Sequence, residues 1–246
     1  MAVRQAKAAA AAGPWPDVSG PRHPDRGSVL HPNARILIFA KAPIPGQVKT
    51  RLIPALGPAG AAELACDLLD RLVRRLSGAR LAPVELWCSP HPEHPLFRDL
   101  AESADVALYT QRGEDLGERL SAAAADALGR AEAVLLVGAD IPELDADYCA
   151  SALEALADSD AVLGPAEDGG YVLLGLKAPA PALFADMPWG GDCVAAITRR
   201  RIVSLGWSCP ELPTLWDLDR PEDLLRYRRL DGDRADARPR AGRGED

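Results

Sequence analysis

Short continuous apolar runs alternate with helical periodicities along residues 34–230. ARILIFA (34–40), VELWCS (84–89), VALYT (106–110), AVLLVGAD (133–140), AVLGPA (161–166) and YVLLGL (171–176) read as strands. Most are apolar at consecutive positions, the pattern of strands covered on both faces. Leu64, Leu68, Leu72 and Leu76 stand at four-residue steps and predict a helix from Pro58 to Leu76. An Ala-rich helix is expected from Leu116 to Leu128, and another from Asp145 to Ala157 with Asp145 as its N-cap. Asp192 to Leu205 reads as helical, TLWDL (214–218) as extended, and Pro221 to Leu230 as a last helix with Pro in its first turn. Strand–helix alternation of this kind predicts one α/β domain with a mainly parallel central sheet flanked by helices. In such sheets ligands bind beyond the carboxyl ends of the strands.

The two ends of the chain lack this patterning. Residues 1–33 are rich in Ala, Pro, Gly and Arg and read as a disordered leader; residues 231–246 are polar, punctuated by Gly and Pro, and read as a tail. Of 246 residues, 48% are hydrophobic and 26% charged, an ordinary balance for a soluble globular protein. The net charge of -8 argues against a general nucleic-acid binder. No uninterrupted apolar run of transmembrane length is seen, so no membrane partner is expected. The alanine run near the start is too short and too weakly apolar for a signal peptide. Cys66, Cys88, Cys149, Cys193 and Cys209 are scattered and form no CxxC pair, which fits a reducing, cytoplasmic setting.

Four loops at expected strand ends carry the chemistry. The first is KAPIPGQVKTR, with Lys41, Gly46, Lys49, Thr50 and Arg51, in a stretch from Arg26 to Ala62 without a single Asp or Glu. A buried strand opening into a cationic loop suits a polyphosphate, although neither the Walker A nor the GxGxxG spacing is present. A Pro-rich surface turn with incidental basic residues is the plainer alternative. In the second loop, Asp140 follows a buried strand directly, so its carboxylate is available to a hard divalent cation beside phosphates, or to a simple turn. In the third, Glu167 and Asp168 precede Gly169-Gly170, as in a functional loop or in an ordinary hairpin turn. In the fourth, LWDLDRPEDLL, Asp217 and Asp219 alternate and share a side if extended; Asp219 is equally placed to cap the next helix. His91 and His94, in PHPEHP, read as part of a Pro-rich turn rather than a metal pair. No nucleophile with a matched His and acid is apparent.

Taken in order, KAPIPGQVKTRL, QRGEDLGERL, VLLVGADIPEL, GPAEDGGYVLLGL, MPWGGD and LWDLDRPEDL resemble a bacterial glycosyltransferase-A-type (GT-A) family, once listed as a domain of unknown function. Some of its members are linked to arsenosugar biosynthesis. It lies in the superfamily of nucleotide-diphospho-sugar transferases, which also holds guanylyltransferases. The resemblance spans residues 34–230 and implies a Rossmann-like GT-A domain. It implies phosphate binding by Lys41, Gly46, Lys49, Thr50 and Arg51, and approach to the base or sugar by Gln111, Gly113 and Asp115. It implies Mg2+ or Mn2+ at Asp140 and Asp219, with Asp217 as a further ligand. Acceptor contacts fall to Gly169, Gly170, Tyr171 and Trp189, and catalytic roles to Asp168, Lys49 and Arg51. The chain departs from the family pattern at Gly191 and Arg220, where Thr is usual.

These roles imply a metal-dependent glycosyltransferase using a nucleotide-sugar donor and a small-molecule acceptor. The alternative is a nucleotidyltransferase that joins a nucleoside monophosphate from a nucleoside triphosphate to a phosphorylated acceptor, releasing pyrophosphate. The fold serves both, and the several cations of the first loop lean toward a triphosphate. A third reading is a non-catalytic nucleotide-binding protein. In the transferase readings, Lys49→Ala and Asp140→Ala are expected to cost more in turnover than in folding.

Overall fold

The computed structural model describes residues 29–236; most of the expected leader and the end of the expected tail lie outside them. Six strands form one sheet in the order β3-β2-β1-β4-β6-β5. They are β1 (Ala34–Lys41), β2 (Val84–Ser89), β3 (Ala107–Thr110), β4 (Ala133–Gly138), β5 (Ala161–Pro165) and β6 (Tyr171–Leu176). The pairs β3–β2, β2–β1 and β1–β4 are parallel; β4–β6 and β6–β5 are antiparallel. The sheet is therefore mixed but mainly parallel. Runs of apolar residues cannot report strand direction. Here β5 and β6 form a hairpin through the Asp168-Gly169-Gly170 turn, so β6 runs against β4.

Helices cover both faces. α1 (Ile53–Gly78), α2 (Pro95–Ala104) and α4 (Ala146–Ala157) lie over one face, and α3 (Leu116–Leu128) and α5 (Val194–Ser204) over the other. On one face Ile36, Ile38, Leu86, Leu135 and Val137 pack against Leu72, Leu76, Leu100 and Leu153. On the other, Leu37, Val134 and Leu136 meet Leu120, Ala124 and Ile202. Adjacent strand residues thus serve opposite cores, which is why the strand sequences are continuously apolar. A third, smaller core joins Leu52, Ala61 and Leu68 to Trp216, Leu218 and Leu224. It holds the LWDLD segment and the last helix, α6 (Asp223–Asp236), against α1.

Several boundaries differ from the sequence reading. α1 breaks at Gly57 (φ 71°), and its regular part begins at Pro58 as expected. Together with a preceding 3-10 turn it spans Thr50–Gly78, long and apolar enough by composition to cross a membrane. Leu68, Leu69, Leu72, Val73 and Leu76 of this helix are buried in the protein core instead. α2 went unanticipated because its start carries no conventional capping residue: His94 caps it, its Nδ1 accepting from Leu96 N at 3.3 Å, with Pro95 next. α6 continues to Asp236, six residues into the segment read as a tail.

Asp145 caps α4 as expected, accepting from Tyr148 N at 2.9 Å. Asp145→Ala is expected to lower unfolding free energy by about 1 kcal/mol, measurable by urea denaturation, with Asp145→Asn recovering most of it.

Candidate active site

Sheet order reverses between β1 and β4, and the loops leaving their carboxyl ends diverge there. A crevice at that point is the usual ligand site of open α/β sheets. A cavity of about 350 Å³ occupies it, walled by Lys41 at the end of β1, by Gln47, Lys49, Thr50 and Arg51 from the next loop, and by Asp140 and Asp219. Two residues of the loop are left-handed: Gly46 (φ 82°), at no cost to a glycine, and Lys49 (φ 48°), uncommon for a side-chain-bearing residue. Lys41, Thr50 and Arg51 stay exposed, whereas Lys49 is buried.

The buried Lys49 ammonium joins three segments. Its Nζ lies 2.9 Å from Asp140 Oδ2 and donates to the Leu218 carbonyl oxygen at 2.5 Å. The main chain supports the same junction, with Leu218 N donating to the Asp140 carbonyl at 2.9 Å. Beside it, Arg51 Nη1 pairs with Asp219 Oδ2. Burying a charge is costly unless it is paired and hydrogen-bonded, and Lys49 is both. Lys49→Ala therefore strikes the fold as well as the site, contrary to the expectation that it would act mainly on turnover. Arg51, with its side chain 57% exposed, is the cleaner probe.

LWDLD is extended, bonded to the β5–β6 hairpin through Leu215 N to Pro165 O and Glu167 N to Leu215 O. Trp216 and Leu218 are buried, and Asp217 and Asp219 fall on the alternate, partly exposed positions. Asp219 lines the cavity; Asp217 does not. The Asp217 carboxyl is pushed up to about 6, first by burial and next by the negative charge of Asp168, with Asp219 adding to it and Lys49 opposing. Asp168 and Asp219, from two distant loops, thus both act on Asp217. Asp219 does not cap α6 with its side chain. Asp223 does so instead, accepting from Asp219 N at 3.0 Å and Arg220 N at 2.7 Å.

The hairpin turn is fixed by Asp168 Oδ1, which accepts from Gly170 N at 2.8 Å. Gly169 (φ 88°) has no room for a side chain: a Cβ there would stand 2.0 Å from the Asp192 carbonyl oxygen. Its own carbonyl accepts from Ala195 N at 2.9 Å, so the turn is seated on the start of α5. Asp168, Gly170, Tyr171 and Trp189 line a second, mostly apolar cavity of about 180 Å³, together with Gly191, Phe39 and Leu116. Tyr171 and Trp189 meet edge to face at 6.3 Å, and burial pushes the Tyr171 hydroxyl pKa up. The Trp189 Nε1 is buried without a hydrogen-bond partner.

Gln111, Gly113 and Asp115 line neither cavity. Gln111 Nε2 donates to Trp87 O at 2.8 Å and Ala40 O at 3.3 Å, tying the ends of β1, β2 and β3 together. Gly113 packs against Glu118, where a Cβ would come within 2.6 Å of the Glu118 Cβ. Asp115 caps α3, accepting from Glu118 N at 2.8 Å. Arg220 is exposed. Among the described residues, no group of three or more His, Cys, Asp and Glu is arranged to hold a metal. Sequence reading missed Gln47 and Phe39; Phe39 lines both cavities. Its place as the last bulky residue of β1 before Lys41 was the available signal.

Fold and site define a transferase of the nucleotide-diphospho-sugar transferase and nucleotidyltransferase type. Residues 72–191, just under half of the chain, match the family described as "Uncharacterized protein conserved in bacteria (DUF2064)". Among curated proteins it is similar to a phosphoenolpyruvate guanylyltransferase of Rubrobacter xylanophilus, 33% identical over 197 residues, covering 77% of this chain and 92% of that protein. The enzyme of the same name from Chloroflexus aggregans is 27% identical over 185 residues, covering 73% and 90%. Among solved structures, a "putative nucleotide-diphospho-sugar transferase" from Desulfovibrio desulfuricans superposes with a TM-score of 0.73 at 28% identity, covering 83% of this chain and 96% of that one. A cytidylyltransferase from Leptospira borgpetersenii shares the fold, with a TM-score of 0.53 at 12% identity and coverage of 87% and 100%.

The Asp217 shift has a measurable sign. Its folded pKa of about 6 lies above the ordinary 3.8, so the folded state holds this proton more tightly than the unfolded chain. The cost of ionising it in place is absent below about pH 4, grows as pH rises through 6, and is then constant. In the presence of chelator, Asp217→Asn is expected to raise the melting temperature at pH 7.5 and to change it little at pH 4. Equal gains at both pH values would contradict this origin.

Proposed function

We propose that the chain is a nucleotidyltransferase that joins a nucleoside monophosphate, taken from a nucleoside triphosphate, to a phosphorylated small-molecule acceptor with release of pyrophosphate. The carrying observation is the cationic cavity at the β1–β4 switch point, where Lys41, Lys49, Thr50 and Arg51 converge beside Asp140. The guanylyltransferase names of the curated relatives support it over the glycosyltransferase reading that the family resemblance first implied.

In this reading an oxygen of the acceptor phosphate attacks the α-phosphorus, the bond from the α-phosphorus to the bridging oxygen breaks, and pyrophosphate leaves. Lys41 and Arg51 bind the β- and γ-phosphates, with Thr50 donating its hydroxyl. Lys49, fixed by the Leu218 carbonyl, holds positive charge where the leaving group becomes more negative. Fixed charge aimed at developing charge is commonly the largest catalytic contribution. The attacking phosphate is already anionic, so no proton need be removed, and Asp168 then orients the acceptor rather than serving as a base.

Asp140 and Asp219 fit Mg2+ or Mn2+ as partners shared with the substrate. Each line the cavity, each is paired through Oδ2 alone, and a magnesium ion is typically bound by one or two carboxylates plus phosphates. When bound, such an ion supplies further charge neutralisation on the phosphates. Asp217, outside the cavity, is assigned no ligand role.

A second reading, transfer of a sugar from a nucleotide-sugar donor, draws on the likeness to the Desulfovibrio protein. It releases a nucleoside diphosphate and requires a base for the acceptor hydroxyl. The test is product analysis with GTP plus phosphoenolpyruvate, and in parallel with a panel of nucleotide sugars plus hydroxylated acceptors. Acceptor-dependent pyrophosphate release supports the proposal; nucleoside diphosphate release from a nucleotide sugar alone overturns it. Arg51→Ala is expected to lower kcat/KM for the triphosphate on the order of a hundredfold with the melting temperature nearly unchanged. Asp168→Asn is expected to lower kcat less than tenfold, because no proton transfer depends on it; a loss of a thousandfold would favour the glycosyl reading.

A further inference from the structure

Three aromatic rings stand side by side across the sheet. Phe39, Trp87 and Tyr109 are register partners on β1, β2 and β3. Their planes are nearly parallel, 6.3 Å and 8° between Phe39 and Trp87, 4.8 Å and 14° between Trp87 and Tyr109. The Arg130 guanidinium closes the outer end, 5.0 Å from the centre of the Tyr109 ring. At the inner end the ladder stops because the register partner of Phe39 on β4 is Gly138. A Cβ added at Gly138 would meet Ile141 Cδ1 at 2.9 Å and nothing else within 4 Å.

The second cavity lies at this end of the ladder and is lined by Phe39, Gly138 and Leu116. Leu116 is 42% exposed, an apolar side chain the fold leaves uncovered. Phe39 also lines the cationic cavity, so one ring borders both spaces. An apolar-walled space that shares Phe39 with the cationic pocket is arranged to suit a nucleoside attached to its phosphates.

We propose that Phe39 is the stacking platform for the nucleobase, which takes the fourth place in the ladder over Gly138. This rests on the nucleotide-binding reading above. The wall formed by Asp168, Tyr171 and Trp189 remains for the acceptor. Because every base has a π-face, Phe39 supplies affinity and position rather than choice among bases.

The experiment is calorimetric titration of wild type, Phe39→Leu and Phe39→Tyr with inorganic tripolyphosphate, GTP and UTP, each with Mg2+. Wild type is expected to bind both nucleotides tighter than tripolyphosphate. Phe39→Leu, which keeps apolar contact with Trp87 but removes the ring, is expected to weaken GTP and UTP by about tenfold or more and to leave tripolyphosphate unchanged. Phe39→Tyr is expected to retain wild-type affinities. Unchanged nucleotide binding in Phe39→Leu, or an equal loss for tripolyphosphate, overturns the platform. Tripolyphosphate binding with no added affinity for the nucleotides removes the base slot while leaving the phosphate site standing. Binding of neither by wild type removes both.

Discussion

The buried ammonium of Lys49 is the interaction on which the site depends. It reaches from the β1 loop to the carboxylate that follows β4 and to a carbonyl of the LWDLD segment near the chain's end. A lysine withdrawn from water needs partners at every turn, and these three segments satisfy it together. The requirement is mutual: Asp140 is held at the cavity wall, Leu218 is drawn into the core beside Leu52, and Asp219 is left facing Arg51. A cationic pocket in an acidic protein is thereby built without one unpaired buried charge at its centre.

The sheet makes that junction productive. Parallel β1 and β4 deliver their loops to the same edge, and the reversal of strand order parts them into a crevice. On the β4 side, two antiparallel pairings bring the Asp168 turn to the same region. Its electrostatic reach to Asp217 brings hairpin and C-terminal segment into one acidic group bordering the cations of the β1 loop.

Much of this architecture was legible before any coordinates. Five of the six strands lie within the apolar runs and β1 exceeds its run by Lys41 alone, and the cap at Asp145 and the Pro58 start of the regular part of α1 follow from local chemistry. The cationic stretch without Asp or Glu does line a cavity, because the loop that follows β1 delivers its cations together at one sheet edge. The misses share a cause. α2 escaped because a histidine took the capping role, and the sequence did not show that Gln111 and Asp115 also make local supporting hydrogen bonds. In each case a hydrogen-bond partner that local sequence does not name set what the side chain does.

The sequence by itself determined the class of fold, the order of its elements and the loops rich in functional side chains, since these depend on periodicity, propensity and short-range spacing. Tertiary structure alone decided the direction of β6, the burial of Lys49, the influence of Asp168 on Asp217, and the aromatic ladder ending at Gly138. Each of those is a pairing between residues far apart in the chain. Register and desolvation arise only when strands and loops meet, and no local pattern encodes which partner will be there.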